Sequence, residues 1–313
     1  MEKKPLIILT GPTAVGKTKL SIALAKKIGG EIISADSVQV YKHMDIGSAK
    51  ITPEEMQGVP HHLVDVLPPT SEFHVVKFQE MAKEAMANIY ANGHIPILVG
   101  GTGFYIQAVL NDIDFTKNDG DSSYRRELEE MAGKEGAHAL HEMLKQIDPK
   151  AAQEIHENNV KRVIRAIEFY EQSGKRISEH NEEQRARTSP YAYKYFVLND
   201  ERDRLYTNID KRVDIMVQEG LLEEVMKLLS MGCKRESTAM QGIGYKEILD
   251  YLDDKCSFED AVNAIKSNTR HFAKRQLTWF RRERDVIWVD KDKFAYNDQM
   301  MLEYIVGCCK DIL

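Results

Sequence analysis

The run GPTAVGKT at residues 11–18 limits this chain more than any other segment. Gly11, Gly16, Lys17 and Thr18 satisfy G-x-x-x-x-G-K-[S/T], after a short apolar run (6–10) and at the head of a helical pattern (17–28). The glycines let backbone N–H groups converge on phosphate oxygens, and the helix N-terminus adds partial positive charge. Lys17 adds a full charge, about 4 kcal/mol for a contact near 4 Å at an effective dielectric near 20, before desolvation. Gly11, Pro12, Thr13, Ala14, Val15, Gly16, Lys17 and Thr18 are therefore assigned to diphosphate binding, with the Thr18 hydroxyl as the candidate Mg²⁺ ligand. The loop recognises phosphates and not the rest of the ligand. ATP is the default, but any compound with two linked phosphates offers the same oxygens.

The loop also sets the fold class. Over the first hundred residues strand patterns (6–10, 31–35, 61–67, 95–99) alternate with helical ones (17–28, 75–92), the mark of a parallel sheet with crossover helices. The expected architecture is α/β: a P-loop-type parallel sheet core flanked by helices. From about residue 116 the strand pattern stops, and 119–189 reads as helical hairpins punctuated by Gly133, Gly136, Pro149 and Gly174. Strand character returns once, at 195–198, and three helical stretches follow, 204–231, 240–252 and 258–284. Ser257 and Asp260 have capping-box spacing at the start of the last. The chain thus divides into a core, 1–115 with 191–313, and an all-helical insertion, 116–190.

Composition narrows the class further. The apolar fraction of 42% supports a packed interior, and no apolar run approaches the roughly 20 residues that span a bilayer. The four cysteines have neither paired nor zinc-like spacing, so a reducing compartment, the cytoplasm, is expected. A net charge of −6 argues mildly against nucleic acid, yet residues 266–284 hold seven basic side chains against the single acid Glu283. Lys266, Arg270, Lys274, Arg281 and Arg284 fall on one face of the helix, with Phe258, Ala261, Ile265, Phe272 and Trp279 on another. Self-repulsion along such a face calls for an anion, and a polyanion is the expected partner. Arg162, Arg165, Lys175 and Arg176 form a second basic group on the insertion.

Two further segments end strands at the edge where open parallel sheets bind ligands. Asp36 opens the polar stretch 36–50, and it is the candidate general base, worth typically about 10²–10⁴ in rate. VGGTGFY (99–105) places Thr102 where it could face the same cleft as Asp36 and Lys17. His61 and His62 are read as structural. A nucleoside kinase using ATP is the alternative that the loop leaves open, and an RNA-binding protein with an idle loop is another.

Taken in order, GPTAVGKT, ADSVQVYKHMDIGSAK (35–50), GVPHHLVDV (58–66), VGGTGFY, NNVKRVIRAIE (158–168), QGIGYKE (241–247) and KRQLTWFRRE (274–283) resemble the tRNA dimethylallyltransferases, bacterial type. The resemblance implies attack of the N6 amine of an adenosine adjacent to the anticodon on dimethylallyl diphosphate, with release of pyrophosphate. It implies catalytic roles for Asp36, Thr102, Lys17 and Arg212, the last in the IDKRV segment near the pyrophosphate. It implies contacts to the tRNA anticodon stem-loop from Asp36, Ser37, Val38, Gln39, Thr102, Arg125, Lys161, Arg162 and Arg165, to which the basic face adds Arg270, Lys274 and Arg281. Mg²⁺ is the implied cofactor, and a monomer is the default assembly. Ser48 stands where the family usually has threonine, and Asn208 where an arginine is expected, leaving Lys17 and Arg212 as the phosphate clamp.

Overall fold

The computed structural model describes residues 3–115 and 122–313. Two compact units are present: the chain up to Leu110 together with Pro190–Leu313, and Asn111–Ser189. The expected start of the helical region at residue 119 lies outside the described residues.

In the first unit, β1 (Lys4–Thr10) leads through the loop into α1 (Lys17–Ile28), followed by β2 (Gly30–Ala35), the one-turn α2 (Pro53–Met56), β3 (His61–His62), α3 (Val75–Ala91), β4 (Ile95–Gly100) and α4 (Gly103–Leu110). The second unit holds α5 (Ser122–Glu135), α6 (Ala137–Ile147), α7 (Pro149–Glu154), α8 (Val160–Ser173) and α9 (Ile177–Ala186). The chain then returns to the first unit with β5 (Tyr191–Asn199), α10 (Arg202–Gln218), α11 (Leu221–Ser230), α12 (Tyr245–Leu252), α13 (Phe258–Phe280), β6 (Val286–Asp290) and α14 (Asp298–Cys309).

The six strands form one sheet in the order β3-β2-β4-β1-β5-β6, and every pairing is parallel. Alternation on β1 explains why the sheet is covered on both faces: Leu6 and Ile8 enter one core, Ile7 and Leu9 the other, and all four are fully buried. Tyr195 and Val197 on β5 divide from Phe196 and Leu198 in the same way. Because the strands are parallel, the loops after β1, β2 and β4 emerge at one edge. The second unit has its own core of Leu128, Leu140, Leu144, Val163, Ile164 and Ile167.

Several elements differ from the sequence reading. The run 61–67 keeps only His61 and His62 in the sheet, paired with Ile32 and Ile33. Leu63 and Asp65 take left-handed backbone (φ 62° and 58°), which turns the chain out of the ladder. The stretch read as one helix, 204–231, is two, because Gly220 (φ 100°) ends α10 and starts α11. A three-residue turn, Ala239–Gln241, stands apart from α12 where 240–252 was read as continuous. The last basic helix stops at Phe280, not 284, and strand character returns a second time in β6, whose VIWVD is β-branched and aromatic. The capping box at Ser257 and Asp260 is present as expected.

Candidate active site

The phosphate loop is shaped by what it cannot accommodate and by what it leaves free. Gly11 (φ 148°) passes so close to β5 that a Cβ there would lie 2.4 Å from the carbonyl oxygen of Leu198. Lys17 Nζ donates to the carbonyls of Gly11 (3.0 Å) and Pro12 (2.8 Å), and Lys291 Nζ donates to that of Val15 (3.3 Å). The loop carbonyls are thus drawn toward ammonium groups. The N–H groups of Ala14, Val15 and Gly16 find no acceptor among the described residues. Gly16 caps α1 without a side chain, so the first-turn amides open in the same direction.

Those amides face a cavity of about 740 Å³, whose walls include Lys17, Thr18, Asp36, Asn208, Lys211, Arg212 and Gln276. Lys17 and Asp36 therefore share one cleft. Burial, with help from the nearby Arg212 charge, pushes the Lys17 ammonium down to about 7, although Asp36 opposes the change. Arg212 is lowered by burial too, and it has no carboxylate at ion-pair distance among the described residues. Two partly buried cations, the charge of one lowering the proton affinity of the other, form a site that gains stability when an anion enters. Asp36 Oδ1 accepts from the N–H of Val38 (2.8 Å) and Gln39 (3.2 Å), which fixes the carboxylate and leaves Oδ2 without a protein donor among the described residues. Anion binding and proton abstraction thus have separate groups in one cavity.

Comparison with known proteins decides the family. A family model described as IPP transferase matches residues 39–283, and one described as isopentenyl transferase matches 4–66. The chain is 62% identical over 302 residues to the tRNA dimethylallyltransferase of Lachnoclostridium phytofermentans and 50% identical over 305 residues to that of Geobacillus thermodenitrificans, covering 96% of each partner and of itself. The chain belongs to the tRNA dimethylallyltransferase family. Its fold is similar to that of the full-length tRNA isopentenylpyrophosphate transferase from Bacillus halodurans (TM-score 0.74, 45% identity, 99% of this chain and 98% of that one). It is also similar to a eukaryotic dimethylallyltransferase captured acting on tRNA (TM-score 0.79, 32% identity, 92% and 74%).

Within this tRNA dimethylallyltransferase family member, not every side chain read from the sequence reaches the cavity. Thr102 is absent from the cavity lining; Gly100 and Gly101 line it instead, and Thr102 turns into α4, its carbonyl accepting from Tyr105 and Ile106. Ser37 and Val38 are not in the wall either. Gln39 is, but its amide already donates to the carbonyls of Ser48 and Ala49 (3.2 Å each), so it braces the 36–50 loop. Asn208 lines the cavity where an arginine was expected, and Lys211 beside it adds a cation that the sequence reading did not assign.

The premise that the basic run on α13 must repel itself is corrected. Lys266 pairs with Asp214 (2.5 Å) and Arg270 with Asp210 (2.7 and 2.9 Å), both acids of α10. Lys274, Arg275 and Arg282 have no such carboxylate among the described residues, and with Thr278 and Trp279 they line a second, open cleft of about 290 Å³. Arg281 is exposed and likewise unpaired. The buried face of α13 runs through Ala261, Ile265, Ala273, Gln276 and Phe280; Phe272 instead lines the main cavity, and Trp279 packs against Gly103. In the second unit, Arg125 is held by Glu168 through two hydrogen bonds (3.0 and 2.6 Å), and Arg165 is half-buried, its pKa lowered by burial. Lys161 and Arg162 stand exposed on α8.

Two residues that shape the site escaped the sequence reading. Glu224 of α11 accepts from the N–H groups of Asp45 (2.8 Å), Ile46 (2.7 Å) and Gly47 (3.0 Å) and from the Tyr245 hydroxyl (2.8 Å). It therefore fixes the cavity wall contributed by Asp45, Ile46 and Ser48. Gln276 is the other, and it joins two loops at the cavity edge. Neither has a local sequence signal, because every partner named here but Tyr245 lies more than 170 residues away along the chain.

Proposed function

We propose that the protein transfers a dimethylallyl group from dimethylallyl diphosphate to N6 of the adenosine adjacent to the anticodon in tRNA, releasing pyrophosphate. The observation that carries this reading is the cavity shared by two partly buried cations, Lys17 and Arg212, neither with a carboxylate at ion-pair distance among the described residues, and by the carboxylate of Asp36. The donor's diphosphate lies on the loop amides and on Lys17 and Arg212, which stabilise the charge that grows on the leaving oxygen. The N6–C1 bond forms as the C1–O bond breaks, and the N6 proton passes to Asp36 Oδ2. An adenine stacked in the anticodon loop cannot reach this depth, so it is extruded, at a cost of a few kcal/mol. Exposed cations of the two units, Lys161 and Arg162 on α8 and Lys274, Arg281 and Arg282 on α13, supply the backbone contacts that offset it.

Mg²⁺ fits the same reading. Thr18 brings a hydroxyl to the cavity wall, and among the described residues no cluster of three His, Cys, Asp or Glu side chains could hold a metal alone. That suits a cation bound by one or two protein oxygens and the substrate's phosphates. When bound, it would share in neutralising the diphosphate. The family match removes the ATP-dependent kinase alternative that the loop alone allows. The reading also has the protein act as a monomer in the cytoplasm, where tRNA is found; no described helix is long and apolar enough to cross a membrane.

The test is mass spectrometry of anticodon-loop nucleosides after unmodified tRNA is incubated with dimethylallyl diphosphate and Mg²⁺. Addition of C5H8 to adenosine with one pyrophosphate released per adduct is expected. Unmodified adenosine together with consumption of ATP would contradict it.

A further inference from the structure

The side chain of Gln276 is only 5% exposed, yet it carries an amide to the rim of the cavity. Its Oε1 accepts from the N–H of Thr13 in the phosphate loop (2.9 Å), and its Nε2 donates to the carbonyl of Gly101 after β4 (3.0 Å). The sense of the amide is fixed chemically, since a backbone N–H only donates and a carbonyl only accepts. Glycine at 101 makes room for it: a Cβ there would lie 2.1 Å from Nε2. The support is stiff as well, for Gln276 sits between the buried Ala273 and Phe280 on a 23-residue helix.

This clamp sorts the donors of the loop. Pro12 has no N–H, and the N–H of Thr13 is occupied by Gln276, while those of Ala14, Val15 and Gly16 stay without an acceptor among the described residues. Resting on the proposed transfer reaction, we infer that Gln276 is a positioning residue that aims the free amides of the phosphate loop at the leaving pyrophosphate. It touches neither reacting atom. Its effect falls on the transition state, where the charge on the leaving oxygens is largest, more than on ground-state binding.

The test compares the wild type with Gln276→Met, which keeps the volume and removes both hydrogen bonds, and with Gln276→Glu, which keeps the acceptor for Thr13 but sets an oxygen against the Gly101 carbonyl. Single-turnover transfer, KM for each substrate and Tm are measured. Q276M is expected to lose about tenfold or more in the single-turnover rate, with KM for tRNA within about twofold and Tm within a few degrees. Q276E is expected also to raise KM for dimethylallyl diphosphate by about tenfold, because it brings negative charge to an anion site. Should Q276M fail to fold, Gly101→Ala displaces the same amide from the loop side and is expected to give the same rate loss. Variants that transfer at the wild-type rate overturn the inference, as do variants whose two KM values rise alike in step with a fall in Tm. A wild type that transfers nothing would instead defeat the proposed function itself.

Discussion

The cations of the cavity and those of α13 look alike in the sequence and behave differently in the fold. Lys17 and Arg212 line one cavity, are partly buried and have no carboxylate at ion-pair distance among the described residues. On α13 the first half of the basic run is neutralised by Asp210 and Asp214, while the second half, from Lys274 onward, is exposed and has no carboxylate partner among the described residues. The lesson is that a count of charges does not measure a site. A partly buried cation without a carboxylate favours an anion strongly, an exposed one attracts it weakly, and a paired one does neither. The cavity is therefore assigned the chemistry, and the distal half of α13 the docking of tRNA.

Substitutions that separate turnover from affinity would break or sharpen this contrast. Asp36→Ala is expected to lower the single-turnover rate by about 10³-fold while tRNA binding by filter retention is preserved. Lys17→Met follows, with about a 10²-fold loss in kcat/KM for dimethylallyl diphosphate and little change in KM for tRNA; a large loss of tRNA affinity would place Lys17 on the docking side. Arg282→Ala should weaken tRNA binding severalfold and reduce the slope of log affinity against log salt by about 1, with the rate on bound tRNA unchanged. The smallest effect is expected for Lys266→Ala. Its partner Asp214 already satisfies it, so tRNA affinity should stay within about twofold and stability should fall by no more than about 1 kcal/mol. Equal effects from Arg282 and Lys266 would erase the distinction.

How far the sequence reached follows the same physics. The phosphate loop was legible because its geometry is local: the eight residues carry their own glycines, lysine and helix start. Asp36 was legible because the end of a parallel strand next to such a loop has only one place to go. The same rule brought Thr102 to the head of α4, directly after the Gly100 and Gly101 that line the cavity, because the strand runs one residue further than its apolar pattern. Gln276 and Glu224 had no such rule to follow. Each acts on backbone groups far away in the chain, and only the fold brings them together. The acids that quiet Lys266 and Arg270 lie on another helix, so helical periodicity within α13 could not disclose them. The run 61–67 failed for a backbone reason, since left-handed Leu63 and Asp65 leave no mark in an apolar pattern.

The Lys17 ammonium, held below its ordinary proton affinity by burial and by the Arg212 charge, is poised for a diphosphate, and its titration tests that directly. NMR of ¹³C-labelled lysine side chains, with the Lys17 signal assigned through Lys17→Arg, would follow the ammonium in the free protein and with inorganic pyrophosphate. In the free protein the midpoint is expected at about 7; pyrophosphate should raise it, so that binding takes up a proton and weakens as pH climbs through that range. A free-protein midpoint at the ordinary 10.5, unmoved by pyrophosphate, would contradict the account.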